Sequence, residues 1–167
     1  MSTSGVGDED DEAWRGWLDR HGPALTLYAR QWCPSRSDAE DAVQDAFVRF
    51  WRSRGRGRVR DETAYLFACV RTAAIDLVRA GQRRKHHESA VNVFESAPDR
   101  QDWRESVEVA LEKLPAEQRE VLVLKIWGGL TFAQIAEMLA VPVSTAASRH
   151  RYALERLETL LAKEFSK

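Results

Sequence analysis

The side chains best suited to noncovalent chemistry lie in the last quarter of the chain, on two helical segments separated by a turn. Thr131–Gln134 reads as a capping box that opens a short helix over Phe132–Ala140. The turn Ala140–Val143 follows, and Ser144 is predicted to cap a long helix over Thr145–Lys163. In a helix-turn-helix, hydroxyl and arginine groups early in the second helix can donate to phosphates and base edges of the major groove. We therefore predict DNA contacts from Thr131, Ser144, Thr145, Ser148, Arg149, Arg151 and Tyr152.

Two arginines of this long helix are expected to differ in how specifically they contact DNA bases. Arg149 is predicted to project opposite the apolar stripe and to be the more base-specific, with Arg151 as its neighbour. His150 falls on or beside the apolar face, where we interpret it as a packing side chain. An ordinary helical hairpin with solvated arginines is the alternative interpretation of this segment.

Charge elsewhere is strongly segregated, although the net charge is only -1. Six arginines and no acid occur between Arg49 and Arg60, and four basic residues and no acid between Arg79 and Lys85. An acidic stretch lies just before them, between Asp38 and Asp45. This pattern predicts a polyanion as partner for the basic stretches and a protein as partner for the acidic one. For any single run, a solvated helix face is the alternative.

Residue types that would support catalysis do not come together. We find no glycine-rich phosphate loop, no nucleophile–base pair and no metal-ligand spacing, so no catalytic residue, cofactor or metal is predicted. Cys33 and Cys69 lie in different apolar segments and are expected to be buried free thiols, with pairing as the alternative. The polar, acidic N-terminus is unlike a signal peptide, and no run approaches the roughly 20 apolar residues of a membrane helix. We expect a cytoplasmic protein that does not insert into a membrane.

The elements that must position these groups are all helical. Helical periodicity predicts segments over Glu12–Cys33 (interrupted near Gly22-Pro23), Ser37–Arg54 and Asp61–His86, the second opened by a capping box at Ser37. Shorter helices are predicted after Gln101. The fold class is therefore all-α, with two small helical domains joined by a flexible linker. The predicted bounds are a disordered acidic tail over 1–10, domains over 11–87 and 102–167, and the linker over 88–101.

Three motifs in this order resemble the extracytoplasmic-function (ECF) sigma factors over nearly the whole chain. Asp38–Trp51 (DAEDAVQDAFVRFW) is similar to the polymerase-binding helix of that family, region 2.2. Ala64–Arg79 (AYLFACVRTAAIDLVR) resembles the helix of regions 2.3 and 2.4, which reads the −10 element. Leu114–Leu122 (LPAEQREVL), with the helix-turn-helix after it, is similar to region 4, which reads the −35 element. The first domain then corresponds to sigma region 2 and the second to region 4.

The resemblance implies an alternative sigma factor that binds core RNA polymerase, recognises −35 and −10 elements and helps to melt promoter DNA. The expected partners are the clamp helices of the largest polymerase subunit, the polymerase flap, promoter DNA and an anti-sigma factor. Contacts to core polymerase are expected from Asp38, Asp41, Gln44, Asp45, Val48 and Trp51.

Contacts to the −10 element are expected along the third long helix, whose end carries cations where melted DNA would run. Arg71 stands where many relatives have Asn, and Ala147 where they often have Lys or Arg, so upstream reading is expected to fall to Arg149 and Arg151. The full −10 set is Arg71, Thr72, Asp76, Arg79, Arg83, Arg84 and Lys85.

Two other functions compete with this one. A DNA-binding regulator could use the helix-turn-helix without contacting polymerase, but this leaves the acidic helix and the second basic helix unexplained. A helical adaptor, such as an anti-factor, would show no salt-dependent promoter binding. Pull-down of core polymerase discriminates the sigma factor from the regulator.

Overall fold

The computed structural model describes residues 6–54, 56, 60–85 and 103–166. Side chains are described for all of these residues except 6–11, 83–85 and 103–105. These residues form helices and no strand, which confirms the all-α prediction. The predicted linker over 88–101 lies outside the described residues. The helices are α1 (Val6–Ala29), α2 (Arg36–Arg54), α3 (Glu62–Lys85), α4 (Trp103–Glu112), α5 (Ala116–Ile126), α6 (Phe132–Leu139) and α7 (Val143–Phe165).

The first helix differs from its prediction at both of the places where the sequence suggested a break. It begins at Val6, so residues 6–10, expected in a disordered tail, are helical. It also continues through Pro23, where an interruption was expected. Leu25 and Tyr28, just beyond the proline, are fully buried. Packing of this face against α2 and α3 outweighs the local cost of a proline without an N–H donor.

Capping residues stand at the starts of α2, α6 and α7, but two of the three predicted caps lie at a different residue. Ser35, not Ser37, caps α2: its hydroxyl accepts from the Asp38 N–H at 3.0 Å. The capping box at Thr131 is confirmed: the Gln134 backbone N–H donates to the Thr131 hydroxyl at 3.2 Å, and the Thr131 backbone N–H donates to the Gln134 side-chain Oε1 at 2.7 Å. The predicted cap at Ser144 is wrong, because Pro142 occupies that position with φ −60° and ψ 148° and α7 begins at Val143.

The turn between α5 and α6 sets the orientation of the helix-turn-helix relative to α5. Gly128 donates to the Val123 carbonyl at 3.0 Å, and a Cβ at Gly128 would lie 2.5 Å from the Leu124 carbonyl oxygen. Gly129 follows with φ +66°, in the left-handed region that glycine adopts readily. The tighter turn between α6 and α7 places Ala140 at φ 54°. Together the two turns set the orientation of α7 relative to α5 and α6.

Side chains from both halves of the chain share one continuous core. In the first half it is built around Phe47, Phe50 and Phe67, and in the second around Leu122 and Ile135. Helix α1 contacts α5, and α3 contacts α6. Helical periodicity does not predict this closed arrangement, because each amphipathic helix can satisfy its apolar face within its own half. None of the described helices is both long and apolar enough to cross a membrane.

Candidate nucleic-acid interface

The outer face of α7 carries an exposed set of groups able to contact DNA. Ser144 and Arg151 are exposed, and Tyr152 is 47% exposed. The Arg151 guanidinium lies 4.9 Å from the centroid of the Tyr152 ring, and its Nη2 donates to the Tyr152 hydroxyl at 3.3 Å. Stacking pre-orients the planar guanidinium while leaving it accessible. This face therefore presents a hydroxyl, a guanidinium and a phenol together.

The remaining predicted −35 groups lie close to this face, and some of their polar atoms already form hydrogen bonds within the protein. Thr145 and Ser148 are half-buried, and the Ser148 hydroxyl donates to the Thr145 carbonyl at 3.0 Å. Thr131 is exposed at the start of α6, where its oxygen caps that helix. The Thr131 and Ser148 oxygens keep capacity for a further hydrogen bond.

Arg149 lies on a different side of α7 from the one expected. It follows the buried Ala146 by three residues and precedes the buried Ala153 by four, which places it beside the apolar face. Its side chain is 24% exposed, and its Nη2 lies 3.3 Å from Glu117 Oε2 on α5. The prediction that Arg149 projects opposite the apolar stripe is therefore wrong, and Arg151 occupies that side instead.

His150 has the packing position that its spacing indicated. Its ring meets the ring of Phe132 edge-on, with centroids 5.3 Å apart. Burial, with the nearby charge of Lys125, lowers the pKa of His150 below its usual 6.5. A neutral imidazole is suited to packing between α6 and α7.

The predicted −10 residues of α3 divide between an exposed stripe and a buried seam. Thr72, Asp76 and Arg79 are exposed and follow one another at spacings of four and three, so they share a face. Asp76 is paired with Arg49 of α2 at 3.3 Å. Arg71 is turned away from this stripe toward α5. Arg83, Arg84 and Lys85 lie in the last turn of α3, and their side chains are outside the description.

The acidic face of α2 is open to solvent. Asp41, Gln44 and Asp45 are exposed, and Val48 is 42% exposed. Asp45 forms a 2.8 Å ion pair with Arg49, one turn along the helix. The face therefore combines carboxylates with an accessible apolar side chain.

The two ends of the predicted polymerase-binding set are less accessible than its middle. Asp38 accepts a hydrogen bond from the Ser35 hydroxyl at 2.7 Å. Trp51 is half-buried, with its ring edge-on to Trp14 at 5.8 Å and the Arg54 guanidinium 5.2 Å from its centroid. Trp51 is therefore shared between the core and the surface.

A hydrogen-bonded trio centred on the buried Glu120 joins the two halves of the protein. Glu120 Oε1 on α5 accepts from the Tyr28 hydroxyl at 2.6 Å and from Arg71 Nε at 2.7 Å. Burial raises the pKa of Tyr28 well above its usual 10.0, and the charge of Glu120 raises it further, partly offset by Arg71. Desolvation lowers the pKa of Arg71, but the hydrogen bond and charge of Glu120 outweigh it, so the net shift is upward.

Sequence reasoning missed Glu120 and Tyr28 as site residues. A signal was available at Glu120, which directly precedes the apolar run Val121–Leu124 and is itself 8% exposed. A carboxylate buried at such a position requires a donor from a neighbouring element.

Comparison with known families agrees with this architecture. The Sigma-70 region 2 family model matches residues 17–84, and the Sigma-70, region 4 model matches residues 104–157. The first match covers the second half of α1, all of α2 and all but the last residue of α3, and the second covers the helix-turn-helix. The fold and its surfaces thus define a sigma-70 class protein with regions 2 and 4.

Individual relatives identify the group within the sigma-70 class to which the chain belongs. The chain is 29% identical over 166 residues to the ECF RNA polymerase sigma factor SigL of Mycobacterium tuberculosis, covering 95% of this chain and 94% of SigL. It is 30% identical over 134 residues to SigK of Mycobacterium ulcerans, covering 74% of this chain and 72% of SigK. The chain belongs to the ECF sigma factors of RNA polymerase, and its function is promoter-recognising transcription initiation.

Two solved structures share the fold. One is the sigma factor RpoE of Bartonella quintana in complex with the anti-sigma factor NepR, with a TM-score of 0.69 and 24% identity over 90% of this chain and 98% of that one. The other is CnrH in complex with the cytosolic domain of CnrY, with a TM-score of 0.63 and 27% identity over 94% of this chain and 91% of that one.

Proposed function

We propose that this sigma factor docks on polymerase through α2, reads the −35 element with the outer face of α7 and reads the −10 element with α3. The observation that carries this is the outer face of α7, where Ser144, Arg151 and Tyr152 stand exposed on the second helix of a helix-turn-helix. A helix presented in this way can enter a major groove and place its guanidinium at a guanine edge. The chain itself catalyses no reaction in this proposal.

The acidic face of α2 supports docking on a basic, helical surface such as the polymerase clamp helices. Asp41 and Asp45 supply charge complementarity, and Val48 supplies an apolar contact at the centre of the face. Asp38, Gln44 and Trp51 extend the surface to either side. The flap of polymerase is the proposed contact for the region 4 half. We place the protein in the cytoplasm because its polymerase partner is there.

The exposed stripe of α3 supports contact with melted −10 DNA. Thr72 and Arg79 can reach phosphates or unstacked bases, and Arg83, Arg84 and Lys85 extend the positive charge to the end of the helix. Arg71 can join this stripe once its carboxylate partner is removed. We infer domains over 11–87 and 102–167, each carrying one DNA surface, with 88–101 as the segment between them.

An anti-sigma partner is supported by the solved structures that share the fold, because RpoE was solved in complex with the anti-sigma factor NepR and CnrH in complex with the cytosolic domain of CnrY. We propose that this chain is also held by an anti-sigma factor, which would cover the polymerase-binding face of α2. Competition between core polymerase and that factor would then set the amount of active holoenzyme.

The test is transcription in vitro with purified core polymerase on a genomic DNA library. Addition of this chain is expected to produce transcripts that start at a fixed distance downstream of paired upstream elements. Arg151→Ala should reduce these transcripts, whereas Arg20→Ala, at an exposed arginine of α1, should not. Pull-down of core polymerase without any promoter-specific transcript would contradict the proposal.

A further inference from the structure

A forked ion pair joins the acidic face of α2 to the exposed stripe of α3. Arg49 Nη2 lies 2.8 Å from Asp45 Oδ2, one turn earlier on α2, and Arg49 Nη1 lies 3.3 Å from Asp76 Oδ2 on α3. The planar guanidinium presents its donors in a fixed fork, so one arginine can hold two carboxylates at once. Asp45 belongs to the proposed polymerase-docking face and Asp76 to the proposed −10 stripe. A single side chain therefore contacts both binding surfaces.

Packing of α2 on α3 holds the Arg49 guanidinium at the boundary between these helices. Arg49 follows the buried Ala46 by three residues, so it leaves α2 beside the core-facing side. Cys69 lies two turns before Asp76 on the same side of α3. Burial raises the pKa of the Cys69 thiol, and a hydrogen bond with Tyr65 and the nearby charge of Arg49 partly offset that rise. The guanidinium therefore lies over the α2–α3 boundary, within reach of both carboxylates.

Both contacts of Arg49 are weak enough to be exchanged. The side chains of Arg49, Asp45 and Asp76 are 41%, 51% and 51% exposed, so water and salt screen each ion pair. A cation that binds Asp45 from outside competes with Arg49, and Asp76 is then the carboxylate left for the guanidinium. An unpaired Asp76 repels phosphates along the α3 stripe, whereas an Asp76 fully paired with Arg49 does not. The charge of the stripe therefore depends on what binds Asp45.

We propose that Arg49 couples docking on core polymerase to binding of the −10 strand. In the free chain its guanidinium is divided between Asp45 and Asp76. When a basic side chain of polymerase binds Asp45, Arg49 pairs with Asp76 alone, and the stripe presents Arg79 to DNA without an opposing carboxylate. Coupling between two ligands is reciprocal, so a bound −10 strand also strengthens docking. This proposal rests on the proposed functions of α2 and α3.

The first test measures the affinity of the full chain for core polymerase, without DNA, by fluorescence anisotropy. Asp76→Asn lies outside the docking face but leaves Arg49 to Asp45 alone, so it should weaken docking about three-fold, the size expected for an exposed pair. In an Arg49→Gln background the same substitution should do no more than Asp19→Asn, which removes an exposed carboxylate of α1. Equal weakening by Asp76→Asn in both backgrounds, or none in either, would overturn the coupling.

The second test measures the affinity of holoenzyme for a single-stranded oligonucleotide that carries the −10 sequence of a promoter found by transcription in vitro. Arg49→Gln leaves Asp76 unpaired and should weaken this binding about three-fold. Adding Asp76→Asn should restore it, because the repelling charge is then removed. A purely structural role for Arg49 predicts no such restoration, so a double variant that binds as weakly as Arg49→Gln would contradict the proposal.

Urea denaturation checks that each variant is folded, which is expected at these exposed positions. Arg49→Lys, which keeps the charge but not the fork, is the second variant if Arg49→Gln is unstable, and Asp76→Asn should lose most of its effect there as well. Asp45→Arg distinguishes the two possible failures. Unchanged docking of Asp45→Arg would overturn the proposed docking face of α2. Weakened docking of Asp45→Arg together with an ineffective Asp76→Asn would overturn only the coupling.

Discussion

The two proposed DNA surfaces of this sigma factor hold their arginines in opposite ways. On α7, Arg151 stands on the outer face with its guanidinium stacked on Tyr152 and open to solvent. On α3, Arg71 is turned into the seam and donates to the buried Glu120 at 2.7 Å. From this difference we expect the α7 surface to be accessible in the free chain and Arg71 to reach the exposed stripe of α3 only when the two halves separate.

The largest effect is expected at α2, whose acidic face is exposed. Asp45→Arg reverses a charge at the centre of the acidic face and should weaken binding to core polymerase by about 2 kcal/mol, or roughly 30-fold. Fluorescence anisotropy of labelled chain titrated with core polymerase measures this. Asp19→Arg, an exposed reversal on α1, is the control. Equal affinity of both variants and the wild type would show that α2 is not the docking face.

The readiness of α7 depends on the turn that follows α5. Gly128→Ala places a Cβ within 2.5 Å of the Leu124 carbonyl oxygen, so the turn must distort. We expect the free energy of unfolding to fall by about 1–3 kcal/mol, measured by urea denaturation. Gly16→Ala on α1 is the matched control: its Cβ would meet nothing within 4 Å, and helix propensity should stabilise it by about 0.5–1 kcal/mol. Similar shifts for both variants would contradict the importance of this turn.

The two arginines of α7 should differ in what they read. Arg151→Ala should cost about 1–3 kcal/mol of holoenzyme affinity and relax the sequence preference at one or two −35 positions. Arg149→Ala removes mainly the pair with Glu117 and should cost less than about 1 kcal/mol. Affinities for a panel of −35 variants at several salt concentrations separate base reading from phosphate contact. The reverse result, with preference relaxed only in Arg149→Ala, would mean that α7 rotates on binding.

A smaller, pH-dependent effect is expected at the seam. Because the pKa of Tyr28 is raised in the closed chain, closure has its full stability below pH 10.0 and loses it as the pH rises through the shifted value. The ionised phenol would then face the Glu120 carboxylate. X-ray scattering should show the chain expanding above about pH 10 in the wild type. Tyr28→Phe should lack this step, and an identical pH profile for both chains would show that Tyr28 does not control the contact between the two halves.

Helical periodicity and capping patterns predicted many of the helix positions, and the predictions that failed did so for physical reasons. The 3.6-residue period located α2 and α3 to within a few residues, and the TxxQ pattern identified the cap of α6. On α7 the prediction for Arg149 is wrong, because a residue three positions after Ala146 and four before Ala153 lies beside the apolar face, and Arg151, predicted only as its neighbour, lies on the opposite side. Ser144 lost the cap to Pro142, whose fixed φ suits the position without any side-chain acceptor.

The seam could not be predicted in the same way. Tyr28 and Glu120 are 92 residues apart in the chain and meet only in the folded state. Each half has a self-consistent amphipathic pattern, so periodicity alone does not require that they touch. A charged residue beside an apolar run was the single local signal, and it specifies that a partner exists without saying which helix supplies it.

The most direct test of the central claim is the separation of the two halves in the free and polymerase-bound chain. Energy transfer between a donor at the exposed Arg20 of α1 and an acceptor at the exposed Glu158 of α7 reports this distance. We predict high transfer in the free wild-type chain, a fall on binding to core polymerase, and low transfer in free Glu120→Gln. Equal transfer in the free and bound wild-type chain would contradict the account.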